Sequence, residues 1–431
     1  MVVSHQVRTG LCRHHDIPAA LCRGLPWPPH GAAIAARVFA EFQASIMNIE
    51  TRRAAGVFVA GFSTFVNLYA PQAFLPTLAA DLATSPLEAG LSITVTLLAV
   101  ALMAPVAGAL SDRFGRKRII VGACALLIVP TLLVAASGSL STLLVWRLMQ
   151  GMLLPFIFTV TVAYVADECS GPQSIRVSGL YASGTIFGGF LGRFIGGLVA
   201  DMAGWRAVFI VLAAITAVAA LFVAWAMPRE QRFRPVVGGL SATLSAYRDH
   251  LRNKRLLATC LVGFGMLFST VATFTFVNFH LALPPFSLSP SSLGSVFTVY
   301  LLGMVTTPLA TRVAVRIGRP RALVAAIAIS TAGILLSLSS ALPVVIGGLA
   351  MVTGGLFVVQ ALSLGFIGAA VPRARSSAVG LYVTVFYIGG AVGGVAPGWL
   401  WHHADWPGVV GLIVVVLAIM ATTGFTAWRR A

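Results

Sequence analysis

The sequence predicts an all-α membrane protein with twelve transmembrane helices in two pseudo-symmetric six-helix bundles. Three observations carry that expectation. First, 58% of the 431 residues are hydrophobic and only 10% are charged, whereas soluble proteins carry about 25% charged residues. Lipid is therefore the solvent for most of the chain. Second, apolar runs of about 20 residues recur along the whole length. Each is enough to cross roughly 30 Å of hydrocarbon, and in runs of this length only helices satisfy the backbone in lipid. Third, the chain repeats itself. Gly179, Leu180, Tyr181, Gly188, Gly189, Gly192, Gly197 and Trp205 return 201 positions on as Gly380, Leu381, Tyr382, Gly389, Gly390, Gly393, Gly398 and Trp406. Pro105, Arg113, Gly115, Arg116 and Arg118 return 203 positions on as Pro308, Arg316, Gly318, Arg319 and Arg321. A doubled apolar chain points to two halves about a pseudo-two-fold axis.

Residues 1–52 read as a cytoplasmic tail, rich in Arg, His and Pro and without helical periodicity. No apolar core precedes a small-residue cleavage site, so a signal peptide is not expected. Met47 offers an alternative start, with Asn48 to Arg53 as a short basic leader. Cys12, His14, His15 and Cys22 fit no tight zinc spacing, so neither a metal nor any other cofactor is expected. Spans 1 to 6 are read at 54–75, 89–110, 119–138, 141–164, 177–199 and 206–226, within an N-terminal bundle of residues 53–226. A polar linker, 227–255, follows and holds Arg229, Glu230, Arg232 and Arg234. Spans 7 to 12 are read at 256–280, 292–312, 321–340, 342–365, 377–400 and 407–428, forming the C-terminal bundle 256–428 before a tail of 429–431. None of the five cysteines is required to pair.

The basic residues set the orientation. With a cytoplasmic N-terminus, 26 of the 29 Lys and Arg fall on the inside, Arg206 alone falls outside, and Arg147 and Arg193 lie within spans. Positive charge stays on the cytoplasmic side, so both termini are expected there. Trp205, Trp399, Trp401 and Trp406 cluster at the opposite boundary, where aromatic belts form. The net charge of +17 therefore records topology, and nucleic acid is not an expected partner.

Four groups of residues carry candidate chemistry. Between spans 2 and 3 lie Gly108, Asp112, Arg113, Gly115 and Arg116. The loop is short, and Gly115 suits a turn needing φ > 0. Asp112 is an acid among cations at a helix end, placed to meet the N-terminus of another helix. Span 4 carries Arg147, and a charge within a span costs at least about 2.5 kcal/mol. Span 5 carries Gly184, Gly188, Gly192 and Gly196 at four-residue spacing, one face on which another helix packs closely. Gly389 and Gly393 repeat this in span 11. Arg193 follows the third glycine. Arg147 and Arg193 both lie about 10 Å below the outer end of their spans at roughly 1.5 Å per residue. None of the twelve acids falls in the middle of a span.

These runs resemble the signatures of the major facilitator superfamily. The stretch from Gly108 to Arg118 is similar to its G-x-L-a-D-r-f-G-r-k motif, and Arg147, Gln150 and Gly151 to its R-x-x-q-G pattern. Span 5 is similar to the antiporter motif, with Arg193 where the family has proline, a departure that weakens any inference to antiport. The likeness covers residues 53 to 428 and extends to bacterial inner-membrane sugar and drug efflux permeases. It implies a cytoplasmic latch: Asp112 docked on the start of span 11, and Arg116 paired with Asp167 beside Glu168. The plainer reading is that these charges only set topology. For Arg147 the resemblance implies a role in proton coupling; the other reading is an arginine bonded to backbone carbonyls. Spans 1, 4, 7 and 10 line the cavity in that family, which implies Asn67, Arg147, Asn278 and Gln360 on the path, with Gln72, Arg193 and Tyr382 as further candidates. Arg193 instead reaches outward to Asp201 if it snorkels.

The function the resemblance implies is secondary active transport of a small solute across the bacterial inner membrane by alternating access, as proton-coupled efflux. Its alternative is an importer or facilitator of a small neutral or anionic metabolite, since the acids avoid the spans. Expected partners are the small-molecule substrate, protons and membrane lipid, with the chain a monomer. A membrane enzyme is disfavoured because no acid or histidine cluster shares one depth. A transporter-like sensor is disfavoured because neither the tail nor the linker builds a soluble domain.

Overall fold

The computed structural model describes residues 29–231, 250–370 and 375–429. Cys12, His14, His15, Cys22 and most of the linker, 232–249, lie outside the described residues. The described residues fall into two compact units, divided between Arg53 and Ala54. In the first, the backbone is helical from Pro29 onward, where the sequence suggested an irregular tail. Alanines at 32, 33, 35, 36, 40 and 44 favour that helix.

The second unit is helical throughout, with no strand among the described residues. Its elements are α1 (Pro29–Leu68, taken from Ala54), a 3₁₀ turn at Ala70–Phe74, α2 (Leu75–Asp81), α3 (Pro86–Phe114), α4 (Arg116–Ala135), α5 (Leu140–Glu168) and α6 (Gly171–Ala226). Then come α7 (Lys254–Ala282), α8 (Pro290–Val296), a 3₁₀ turn at Phe297–Leu301, α9 (Leu302–Ile317), α10 (Arg319–Leu336), α11 (Leu342–Ala370) and α12 (Arg375–Trp428). Capping fixes several starts: Ser85 and Glu88 form a capping box on α3, Ser139 and Thr142 one on α5, and Asn253 accepts from the first turn of α7.

Among the described residues, ten stretches are long and apolar enough to cross a bilayer, where twelve spans were expected. The difference lies in two long ones, Gly171–Ala226 with 56 residues and Ser377–Trp428 with 52. Each is interrupted once by non-helical backbone, at Gly204 in α6 and at Ala404 and Asp405 in α12. Packing shows that both double back there. Gly192 lies against Val66, while Thr216 bonds Asn67, the next residue of α1. In a straight helix Gly192 and Thr216 would be about 36 Å apart. Gly389 and Met420 likewise approach Phe264 and Gly265 of α7.

The halves repeat in structure as they do in sequence. Gly115 has φ 94° and Gly318 φ 83°, each turning the chain between consecutive helices. A Cβ on Gly188 would stand 2.5 Å from the Phe62 carbonyl oxygen, and on Gly393 2.5 Å from that of Phe268. Gly192 and Gly389 meet Val66 and Phe264 in the same way. The four-residue glycine spacing thus seats α6 on α1 and α12 on α7, backbone to backbone.

A second pair of glycine crossings joins one half to the other. A Cβ on Gly90 would lie 2.6 Å from Gly394 O, and one on Gly294 3.0 Å from Arg193 O. Both crossings sit toward the end of the molecule that carries Trp205 and Trp406. Thr94 donates to Ala391 O at 2.9 Å, and Ser291 bonds Asp201 across the same boundary at 2.5 Å. Toward the opposite, basic end, a Cβ on Gly108, Gly179 or Gly365 would meet nothing within 4 Å.

Candidate functional site

A break in α1 organises the middle of the molecule. In a regular helix the carbonyls of Asn67 and Leu68 accept from the N–H groups of residues 71 and 72. Pro71 has no N–H, and the Gln72 N–H turns to Tyr69 O at 3.1 Å. Arg147 fills the gap. Its Nη1 donates to Asn67 O at 3.2 Å, its Nη2 to Leu68 O at 2.8 Å, and its Nε to Ser92 O at 3.1 Å. Gln150 Oε1 also accepts from Nη1, at 2.7 Å, and Gln150 in turn donates to Thr131. A fully buried cation thus closes the C-terminal end of a helix, where the dipole favours it. Asn278 serves the far side of the break, its Nδ2 donating to Gln72 O at 2.7 Å.

Beside the break lies a cavity of about 130 Å³. Its lining includes Phe65, Tyr69 and Gln72 of the first span, Arg193 of α6, Tyr300, and Gln360 of α11. Arg193 is the one charged residue in that lining. Its Nε donates to Gln72 Oε1 at 2.8 Å and its Nη1 to Gly189 O at 2.5 Å. Three rings surround the guanidinium, with Cζ 4.6 Å from the centroid of Tyr69, 4.9 Å from Phe297 and 4.4 Å from Tyr300. Such distances are within cation–π range. Gln72 completes the node by donating to Thr275 Oγ1 of α7 at 3.2 Å. Arg193 therefore faces inward, while Asp201 pairs with Ser291.

Of the candidate path residues, Gln72, Arg193 and Gln360 line this cavity, and Arg147, Asn67, Asn278 and Tyr382 do not. Asn67 turns to Ser63 O and Thr216 Oγ1 at 2.9 and 2.8 Å. Tyr382 packs on Gly263 and stacks on Phe386. Arg147, Asn67 and Asn278 thus hydrogen-bond between helices, while Tyr382 packs its ring between them. Phe297 and Tyr300 were not singled out from the sequence. An aromatic in an apolar run carries no local mark that separates it from a lipid-facing one.

At the basic end, Arg116 gathers two acids. Its Nη2 lies 2.6 Å from Asp112 and its Nε 3.0 Å from Asp167, while Nη1 bonds Ser111 Oγ. Glu168 accepts from the Gln231 N–H at 2.9 Å, and Glu230 accepts from that of Lys117 at 2.6 Å. Arg113 lies over the Phe114 ring. Asp112 thus pairs inside its own half.

The model of the Major Facilitator Superfamily matches residues 57–287 and 278–430. The chain is 31% identical to the MFS-type transporter YybF of Bacillus subtilis (strain 168) over 362 residues, 84% of this chain and 90% of that one. It is 29% identical to the inner membrane transport protein YnfM of Escherichia coli (strain K12) over 375 residues, 87% and 90% of the two chains. Among solved structures, it is similar to a bacterial homologue of the human lysosomal transporter Spinster, in an inward-facing and unoccupied conformation. That likeness has a TM-score of 0.73 at 16% identity and covers 88% of this chain and 97% of the other.

Proposed function

The chain belongs to the major facilitator superfamily, whose members are membrane transporters and not enzymes, and on that premise we propose that it moves a small solute across a bacterial inner membrane by alternating access. The observation that carries this reading is the paired glycine crossing, Gly90 on Gly394 and Gly294 on Arg193, which brings the two halves together at one end of a central cavity. Counting each doubled-back helix as two crossings gives twelve, in two bundles of six. With the basic end cytoplasmic, as the charge distribution argues, the molecule is closed outward and open inward. Both termini then face the cytoplasm.

In this reading Asp112 rests on Arg116 while the inner side is open, and docks on the start of α12 when the halves rock the other way. Arg116 and Asp167 hold the local geometry that presents it. Asp112→Asn is expected to slow transport by tenfold or about that, with the melting temperature changed much less, since Arg116 keeps Asp167 and Ser111 as partners. Unchanged flux would remove the latch.

Proton-coupled efflux needs a titrating group on the path, yet the cavity lining contains no Asp, Glu or His. The lining favours a facilitator or exchanger of a neutral or anionic solute. Flux into liposomes holding the purified chain, measured with and without an imposed pH gradient, tests both levels. No flux of any solute ends the transporter reading. Flux that follows the pH gradient restores proton coupling.

A further inference from the structure

We propose that the central cavity is a binding site for a small organic anion with a ring-sized apolar body, and that Arg193 receives its negative group. The inference deepens the transport reading above and names the class of its cargo. Arg193 is 2% exposed and has no carboxylate among its partners. A buried guanidinium without a counter-charge is expensive. Three ring faces and two amide oxygens offset only part of that cost. Nη2 donates to no described residue. The Tyr300 hydroxyl, in a side chain 6% exposed, is a buried polar atom without a hydrogen-bond partner, and Tyr300 lines the same cavity. One charged donor therefore stands at the cavity with nothing negative to meet it, beside a tyrosine whose hydroxyl is unpartnered.

The remaining lining sets the rest of the molecule recognised. Phe65, Phe357, Phe386 and Tyr387 supply mainly apolar surface, and Gln360 adds one neutral polar group. The volume of about 130 Å³ is near the ~150 Å³ that holds benzene in an engineered cavity. A cation is repelled by Arg193, and a neutral solute leaves its charge unanswered. A carboxylate or sulfonate on a single ring satisfies both the guanidinium and the rings.

The test uses the purified full chain in detergent, with benzoate, benzenesulfonate, benzamide and benzylammonium as probes, read by titration calorimetry and thermal shift. Benzoate and benzenesulfonate are expected to bind at least about tenfold more tightly than benzamide, the worth of a charged hydrogen bond, and benzylammonium more weakly still. Arg193→Gln is expected to bring benzoate down to the level of benzamide. A purely structural arginine would weaken all four probes alike. Equal binding of benzoate and benzamide by the unaltered chain, a preference for benzylammonium, or no binding by either anion overturns the proposal. That comparison needs no variant, so it holds if Arg193→Gln fails to fold. Benzenesulfonate flux into liposomes separates the two readings. Anion-selective binding without flux keeps the site and sinks transport; flux of uncharged solutes without anion selectivity does the reverse.

Discussion

Replacing Arg147 with methionine is expected to unfold or severely destabilise the protein, whatever solute it carries. The substitution keeps an unbranched apolar stem, two atoms shorter, and removes four donated hydrogen bonds, to Asn67 O, Leu68 O, Ser92 O and Gln150 Oε1. The two α1 carbonyls then face a low-dielectric interior with no replacement donor, because Pro71 has no N–H to offer. A buried group stripped of its partner costs about 1–3 kcal/mol, so a loss of at least about 3 kcal/mol is expected. Arg147→Lys should recover only part of it, since an ammonium does not span carbonyls on two helices as a planar fork does. Melting in detergent, followed by the monodisperse fraction on size exclusion, reads the effect. A methionine variant that melts with the parent would refute the assignment of this arginine as the cap of the broken helix.

Bulk at the glycines should have two different results, according to whether the crossing lies within a half or between halves. Gly188→Leu places a side chain against the Phe62 backbone inside one bundle, in the middle of the row of close contacts that Gly184, Gly188 and Gly192 make with α1. It is expected to abolish folding, and Gly393→Leu to do the same in the other bundle. Gly90→Leu meets Gly394 O across the boundary between bundles. Each bundle keeps its own packing, so the chain should fold but fail to close at the tryptophan end. Transport should fall by a hundredfold or about that, because a cycle lacking one of its two states carries nothing across. A cysteine at Thr275 should then react with an impermeant maleimide from the tryptophan side in Gly90→Leu, and resist it otherwise. Equal labelling in both would show that this crossing does not gate access.

Much of this arrangement was legible in the chain. The 201-residue echo foretold that Gly188 and Gly389 would occupy equivalent seats. The need for φ > 0 at Gly115 followed from a loop too short for any other turn, and Gly318 repeats it. Arg116 and Asp167, proposed as partners from the resemblance, lie in contact. For Arg147 the chain left two readings, and the hydrogen bonds match that of a residue bonded to carbonyls. The breaks at Gly204 and at Ala404–Asp405 fall between the expected spans 5 and 6 and between spans 11 and 12, and each turns the chain within one or two residues.

The sequence by itself determined what depends on neighbours along the chain: apolar length, charge placement, the helix break at Pro71 and the glycine face of α6. Only the tertiary structure decided which distant group answers each of these. Pro71 announces a missing donor, but the donor comes from a residue 76 positions later. Arg193 has a stem long enough to reach lipid headgroups or the interior, and the rings of Phe297 and Tyr300, more than 100 residues on, hold it inside. A buried polar group takes whatever partner the fold brings within 3 Å or so, and that distance is set by packing between helices and not by spacing along them.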